Sequence, residues 1–210
     1  VEIVFPQSGG FFNWGDEVAY EVVITDPDAS EPIDCAKVQV LPALGHDSHQ
    51  HPWGELSGCS GSIPTGRDGG HGITSNIFWV VDVRYTDDGG AAGVPLTGYG
   101  TNILNPKHFE AEFFTATGNV DGPGGVQTET TGDAGGGLNL SYVEPGDWWS
   151  YEPINFTGID GLRARLASPD AGGSISMRWD SPTGPEIGTI DFTATGAWQT
   201  YQYFDAELGD

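Results

Sequence analysis

Glu17-Val18-Ala19-Tyr20-Glu21-Val22-Val23-Ile24-Thr25 sets the reading of this chain. Tyr20, Val22 and Ile24 alternate with Glu21, Val23 and Thr25, and a period of two belongs to a strand with one buried face. Further strand-like runs stand at residues 1–5, 37–41, 77–85 and 101–104. Asp26-Pro27-Asp28 and Asp87-Asp88-Gly89-Gly90 supply turn chemistry between them. Residues 42–76 break the pattern, being rich in Gly, His, Ser and Asp with almost no strand signal. So long a loop in a compact domain is usually functional or tied down.

Working outward, a second series of runs follows Asn105-Pro106, at residues 108–117, 126–129, 138–142, 148–156, 162–167, 174–179, 187–192 and 198–204. Asp121-Gly122-Pro123-Gly124-Gly125 and Gly135-Gly136-Gly137 separate some of them. Glycine accounts for 33 of 210 residues, well above the usual share of ~7%. Long helices are therefore not expected. The chain reads as all-β, with two tandem β-sandwiches: an immunoglobulin-like domain over residues 1–106, then a jelly roll over 107–210.

Composition narrows the partners. Seven Lys and Arg stand against 30 Asp and Glu, a formal charge of −23. Such a field repels phosphate backbones and argues against nucleic acid. No apolar run approaches the ~18 residues of a membrane span. No signal peptide opens the chain, and the start at Val1 suits a mature product or an excised piece.

The second half carries a run of ordered motifs: Glu110-Ala111-Glu112, Gly125-Val126-Gln127-Thr128-Glu129, Gly136-Gly137-Leu138-Asn139, Tyr142-Val143-Glu144-Pro145-Gly146-Asp147-Trp148, and Thr195-Gly196-Ala197-Trp198-Gln199-Thr200. In this order they resemble the family 6 carbohydrate-binding modules over about residues 107–210. The resemblance implies a β-sandwich that binds polysaccharide and holds structural calcium. It places Tyr142 and Trp198 as the two rings of a sugar cleft, with Glu129 beside it to accept hydrogen bonds from hydroxyls. It assigns Glu110 and Glu112 to calcium, which prefers hard oxygen ligands. The two glutamates are also expected on one face of an opening strand, where like charges call for a cation between them. Family members usually continue past the Thr-Gly-Trp segment, whereas this chain ends at Asp210, so a fragment or strands from elsewhere are expected.

Ring chemistry supports the cleft without the resemblance. A sugar ring has faces lined by C–H groups, and a flat indole or phenol can cover one. Covering ~100 Å² at ~25 cal/mol/Å² stabilises the complex by roughly 2.5 kcal/mol. Trp148, Trp149 and Trp179 sit inside strand patterns and read instead as packing, and Asp147 reads as a brace for the turn backbone.

In the first half, His46-Asp47-Ser48-His49-Gln50-His51 and His71 place four of the five histidines between residues 46 and 71. In an extended chain His49 and His51 share a side, while His46 must reach them through a bend. Imidazole suits zinc or copper, and three His with an open position is a catalytic zinc pattern. The candidate ligands are His46, His49, His51 and His71, with Asp47 as ligand or supporting partner. Histidines that hydrogen-bond the backbone of a long loop are the competing reading. Cys35 and Cys59 suit a disulfide of an exported domain, worth roughly 3 kcal/mol in the chain-entropy model. Free thiols and a metal site are the alternatives.

Leu44-Gly45-His46-Asp47-Ser48-His49-Gln50-His51-Pro52, Gly58-Cys59-Ser60-Gly61, Gly69-Gly70-His71 and Tyr85-Thr86-Asp87-Asp88-Gly89-Gly90 resemble a PKD-type, immunoglobulin-like region of large secreted bacterial proteins. Those proteins carry sugar-dehydrogenase or trehalose-utilisation-type domains. The expectation is a non-catalytic, secreted accessory region that binds polysaccharide or oligosaccharide, with other domains or copies of itself as further partners. A calcium-dependent subunit of a surface layer or filament, and a His-ligated copper or zinc enzyme, are the alternatives.

Overall fold

A computed structural model describes the whole chain except residues 28, 30, 68, 69, 73, 74, 134–136 and 210, and gives only the backbone of Ala91. The end of the expected Asp26-Pro27-Asp28 turn, Gly69, Gly136, most of the Gly135-Gly136-Gly137 turn and Asp210 thus lie outside the described residues. The chain divides into two compact units, Val1–Glu110 with Glu152–Asn155, and Ala111–Tyr151 with Phe156–Asp210. Both are built of strands, as an all-β chain of two sandwiches requires.

In the first unit, β1 (Glu2–Phe5), β3 (Glu17–Val23) and β7 (Ser60–Pro64) form one sheet in the order β1-β3-β7. The other sheet runs β2-β9-β8-β4-β5, from β2 (Phe11–Phe12), β9 (Thr97–Pro106), β8 (Ile77–Thr86), β4 (Gln39–His46) and β5 (His49–Pro52). The short β6 (Leu56–Ser57) pairs with β4. The alternation in β3 does what its period implies. Tyr20 and Val22 are buried while Glu21 and Val23 face out. They meet Ile3 and Ile63 from their own sheet, Val40, Leu44, Val81, Val83 and Leu104 from the other, and Val38 just before β4. Trp79 sits fully buried in this core, ringed by Trp53 at 5.5 Å, Trp14 at 6.2 Å and Phe12 at 6.3 Å between ring centroids. Cys35 and Cys59 are joined in a disulfide.

The expectation of a long unstructured stretch at 42–76 is corrected: the end of β4, then β5, β6 and β7, lie between residues 42 and 64. All four residues of β5 are exposed, so it shows no hydrophobic period. In β7 only Ile63 is buried. Pairing with neighbours, rather than a buried face, makes these segments strands.

Among the described residues, the strands of the second unit form four antiparallel pairs. β10 (Ala116–Asn119) pairs with β13 (Asp147–Ser150), and β11 (Gln127–Thr130) with β12 (Leu138–Ser141). β14 (Gly161–Leu166) pairs with β17 (Gln202–Glu207), and β15 (Gly173–Arg178) with β16 (Glu186–Phe192). Val126, Ile187, Ile190 and Ala206 are its buried apolar residues. Gly118 admits the Trp148 indole across the β10–β13 pair, because a Cβ there would lie 2.8 Å from the ring. Trp179 packs against Phe156 at 5.5 Å.

Two expected strands are shorter than their apolar content suggested. The run at 108–117 becomes strand only at Ala116, so Glu110 and Glu112 do not share the face of a strand. The run at 198–204 becomes strand only at Gln202, which leaves Trp198 in a turn.

Candidate functional site

The turn that carries Trp198 is held from three directions. Thr195 is buried, and its hydroxyl accepts from the Ser168 N–H at 2.9 Å and donates to the Ser168 carbonyl at 3.0 Å. Gly196 follows at φ 94°, a left-handed conformation that a side chain would strain. The Thr200 N–H then closes the turn on the Ala197 carbonyl at 3.1 Å. Beyond the ring, the Gln199 side-chain oxygen accepts from the Gly132 N–H at 2.9 Å and the Thr131 hydroxyl at 3.0 Å. With the backbone so fixed, the indole stands 70% exposed.

Thr131 directly follows β11, so these bonds tie the Trp198 turn to the strand that bears Glu129. Glu129 is half-buried and lies opposite Asn139 in the β11–β12 register. The Asn139 side-chain oxygen is buried with no hydrogen-bond partner, while its amide donates to the Leu140 carbonyl. Tyr142 stands three residues further on, about 10 Å along an extended chain. It leaves β12 with φ 56°, and its ring is 63% exposed. A bulky residue at positive φ costs of order 1–3 kcal/mol, and strain of this kind gathers at ligand sites. Asp147 braces the following turn, accepting from the Asn119 amide at 2.7 Å and the Glu144 N–H at 2.9 Å. These bonds, the Asn119 one first, hold its carboxyl below the usual range.

The loop after β11 has a second anchor that sequence reasoning did not single out. Arg165 makes a two-pronged contact with Asp133, at 2.7 and 2.5 Å, and lies over the Tyr201 and Tyr203 rings at 5.6 and 5.2 Å. The Asp133 hydrogen bonds raise the guanidinium's proton affinity further. The Tyr201 hydroxyl meets the Thr131 hydroxyl at 3.0 Å. Arg165 and Gln199 stand far in sequence from Asp133 and Thr131, the residues they hold, and only the folded chain shows these pairings.

Glu110 and Glu112 are each half-buried. Glu110 lies 3.6 Å from the His108 ring nitrogen. Glu112 contributes its charge beside the Tyr151 phenol, which burial first, and that charge in addition, push well above the usual range.

The histidines come together in the first unit. His46 and His49 close the two-residue turn between β4 and β5, with Asp47 at φ 49°. His46, His49 and His51 hold ring nitrogens within 4.8 Å of one another, and the His71 ring lies 4.3 Å from that of His46. The Asp47 carboxylate is 3.4 Å from His46 Nδ1.

Residues 117–209 match the family described as "Carbohydrate binding module (family 6)". A family 6 carbohydrate-binding module at these residues is supported by that match. Among curated proteins, the chain is 37% identical over 75 residues to "Endo-1,4-beta-xylanase A" of Thermoclostridium stercorarium, covering 35% of this chain and 14% of that protein. It is 33% identical over 91 residues to "Arabinoxylan arabinofuranohydrolase" of Paenibacillus polymyxa, covering 41% and 14%. The chain thus spans a small part of the curated relatives it matches. Among solved structures, "Crystal Structure of a Family 6 Carbohydrate-Binding Module from Clostridium cellulolyticum in complex with xylose" is 39% identical, with a TM-score of 0.42 and coverage of 48% of this chain and 72% of that one.

Proposed function

We propose that the second unit binds polysaccharide through the Tyr142 and Trp198 rings, with Glu129 accepting hydrogen bonds from sugar hydroxyls. The observation that carries this reading is the pair of exposed aromatic rings on backbone held rigid by hydrogen bonds and a strained φ, within the segment matched to a carbohydrate-binding family. Exposed rings on fixed backbone bind without a large ordering cost. The names of the two curated relatives direct the choice of ligand to a β-1,4-linked xylan or arabinoxylan.

The role is non-catalytic and accessory: a weak module raises the local concentration of polymer for a partner domain. The first unit is a PKD-type platform of a secreted bacterial protein, a setting that the Cys35–Cys59 disulfide favours. No described helix is long and apolar enough to cross a membrane. Calcium rests on the resemblance, with the half-buried Glu112 carboxylate as the ligand that lies within the second unit.

Affinity electrophoresis through gels containing xylan, arabinoxylan, mannan or a mixed β-glucan tests the reading. Retardation in the xylan gels is expected. Migration unchanged by all four polymers overturns it.

A further inference from the structure

We propose that the β4–β5 hairpin of the first unit binds one divalent transition-metal ion, zinc or copper, through His46, His49 and His51. Placement begins with the turn. Asp47-Ser48 is a two-residue connection, so His46 and His49 face each other as its closing pair. His51 lies two residues beyond His49 and therefore on the same face of β5. Gln50 takes the other face and donates to the Asp82 carboxylate at 3.2 Å. This alternation puts three imidazoles on one side of a four-residue strand and its partner.

The hairpin is a fixed support. β4 is paired along its length with β8, down to His46 opposite Ile77, and Gly45 leaves the space that the Phe78 ring occupies. The His46 side chain is only 16% exposed, whereas His49 and His51 are open to solvent. An entering ion would meet two accessible rings and one anchored ring.

One nitrogen pair already stands near the separation that coordination needs. His46 Nε2 and His51 Nε2 are 3.0 Å apart. Two nitrogens bound at ~2.0–2.1 Å in a tetrahedron stand about 3.3 Å apart. At that separation one ring donates to the other in an N–H···N bond whose direction the tautomers set. The Asp47 carboxylate, 3.4 Å from His46 Nδ1, favours the proton on that nitrogen and leaves the His46 Nε2 lone pair facing its neighbours. An ion entering between them takes both Nε2 lone pairs, the His51 proton moving to its own Nδ1, while His49 supplies the third. One position of the tetrahedron is left for water or for His71, whose ring is 4.3 Å from that of His46 and 5.7 Å from that of His51. Imidazole nitrogens select zinc, copper or nickel over calcium and magnesium, so the site is chemically separate from an oxygen-ligated calcium.

The test uses the full chain without a polyhistidine tag, stripped with chelator and dialysed against zinc chloride in excess calcium. One equivalent of zinc is expected. His49→Ala and His51→Gln, both at exposed positions, are expected to weaken uptake about tenfold or more, since even supporting groups around a metal cost 10–100-fold. His108→Ala, outside the cluster, should bind as the parent does. With copper, the parent's electron paramagnetic resonance spectrum should show nitrogen coupling from imidazole that His51→Gln reduces, provided circular dichroism shows the variant folded. Uptake well below one equivalent, equal uptake by His51→Gln, or loss of uptake in His108→Ala overturns the proposal. None of these outcomes touches polysaccharide retention, so the sugar-binding reading is judged separately.

Discussion

Removing the Trp198 ring gives the sharpest test of the sugar-binding reading. The indole is 70% exposed and its turn is held by Thr195, Gly196 and Gln199 rather than by the ring itself. Trp198→Ala should therefore change stability by no more than about 0.5 kcal/mol, the usual range for a surface substitution. Binding should change far more. One face of the indole covers ~100 Å² of sugar, which at ~25 cal/mol/Å² is roughly 2.5 kcal/mol. That difference corresponds to roughly a 60-fold loss of affinity. Tyr142→Ala should fall in the same direction by a smaller factor, because a phenol covers less area and the alanine relieves little of the positive φ. Tyr99 on β9 is 71% exposed in the first unit and serves as the control for ring removal in general. Affinity electrophoresis in xylan, with circular dichroism of each variant, reads the result. Full retention of both Trp198→Ala and Tyr142→Ala, or equal loss in Tyr99→Ala, would refute the reasoning.

Gln199→Ala removes the acceptor of two hydrogen bonds that lock the Trp198 turn to Thr131 and Gly132, a change of roughly 1–2 kcal/mol. Retention in the gel should weaken by about tenfold while the ring itself is intact; unchanged retention would show that the turn needs no such lock. Replacing Cys35 and Cys59 by serine should lower the first unit's unfolding free energy by about 3 kcal/mol, read from urea melts, and leave retention as it was. Asp147 titrates below its ordinary value, so its contribution is present above the unfolded carboxylate pKa and is lost as pH falls through the lower folded value. Asp147→Asn should accordingly flatten the fall in melting temperature on the acid side of about pH 4; an unchanged acid limb would count against the brace.

What the residue pattern could reveal depended on whether a segment buries one face. β3 and β8 do: Tyr20 and Val22 in the one, and Ile77, Trp79, Val81, Val83 and Tyr85 in the other, stand at alternate positions that meet in the core. β5 buries nothing, so its histidine and glutamine run looked like a loop although it is a paired strand. Residues 109, 113 and 114 are all Phe, and this apolar density imitated a strand where the chain has none. The same limit applies to the sites. Tyr142 and Trp198 were readable because ordered motifs surround them. The bonds from Gln199 to Thr131, from Arg165 to Asp133, and the approach of His71 to His46 join residues far apart in sequence. Such pairings appear only when the chain has folded.

The sealing of Trp79 has a practical consequence. Its emission should be shielded from dissolved quenchers such as acrylamide, while the indole at 198 should be fully open to them. The first unit thus holds the most shielded tryptophan and the second the most open one. Acrylamide would report unfolding through the shielded fraction, and ligand occupancy through protection of the open one, in the same cuvette.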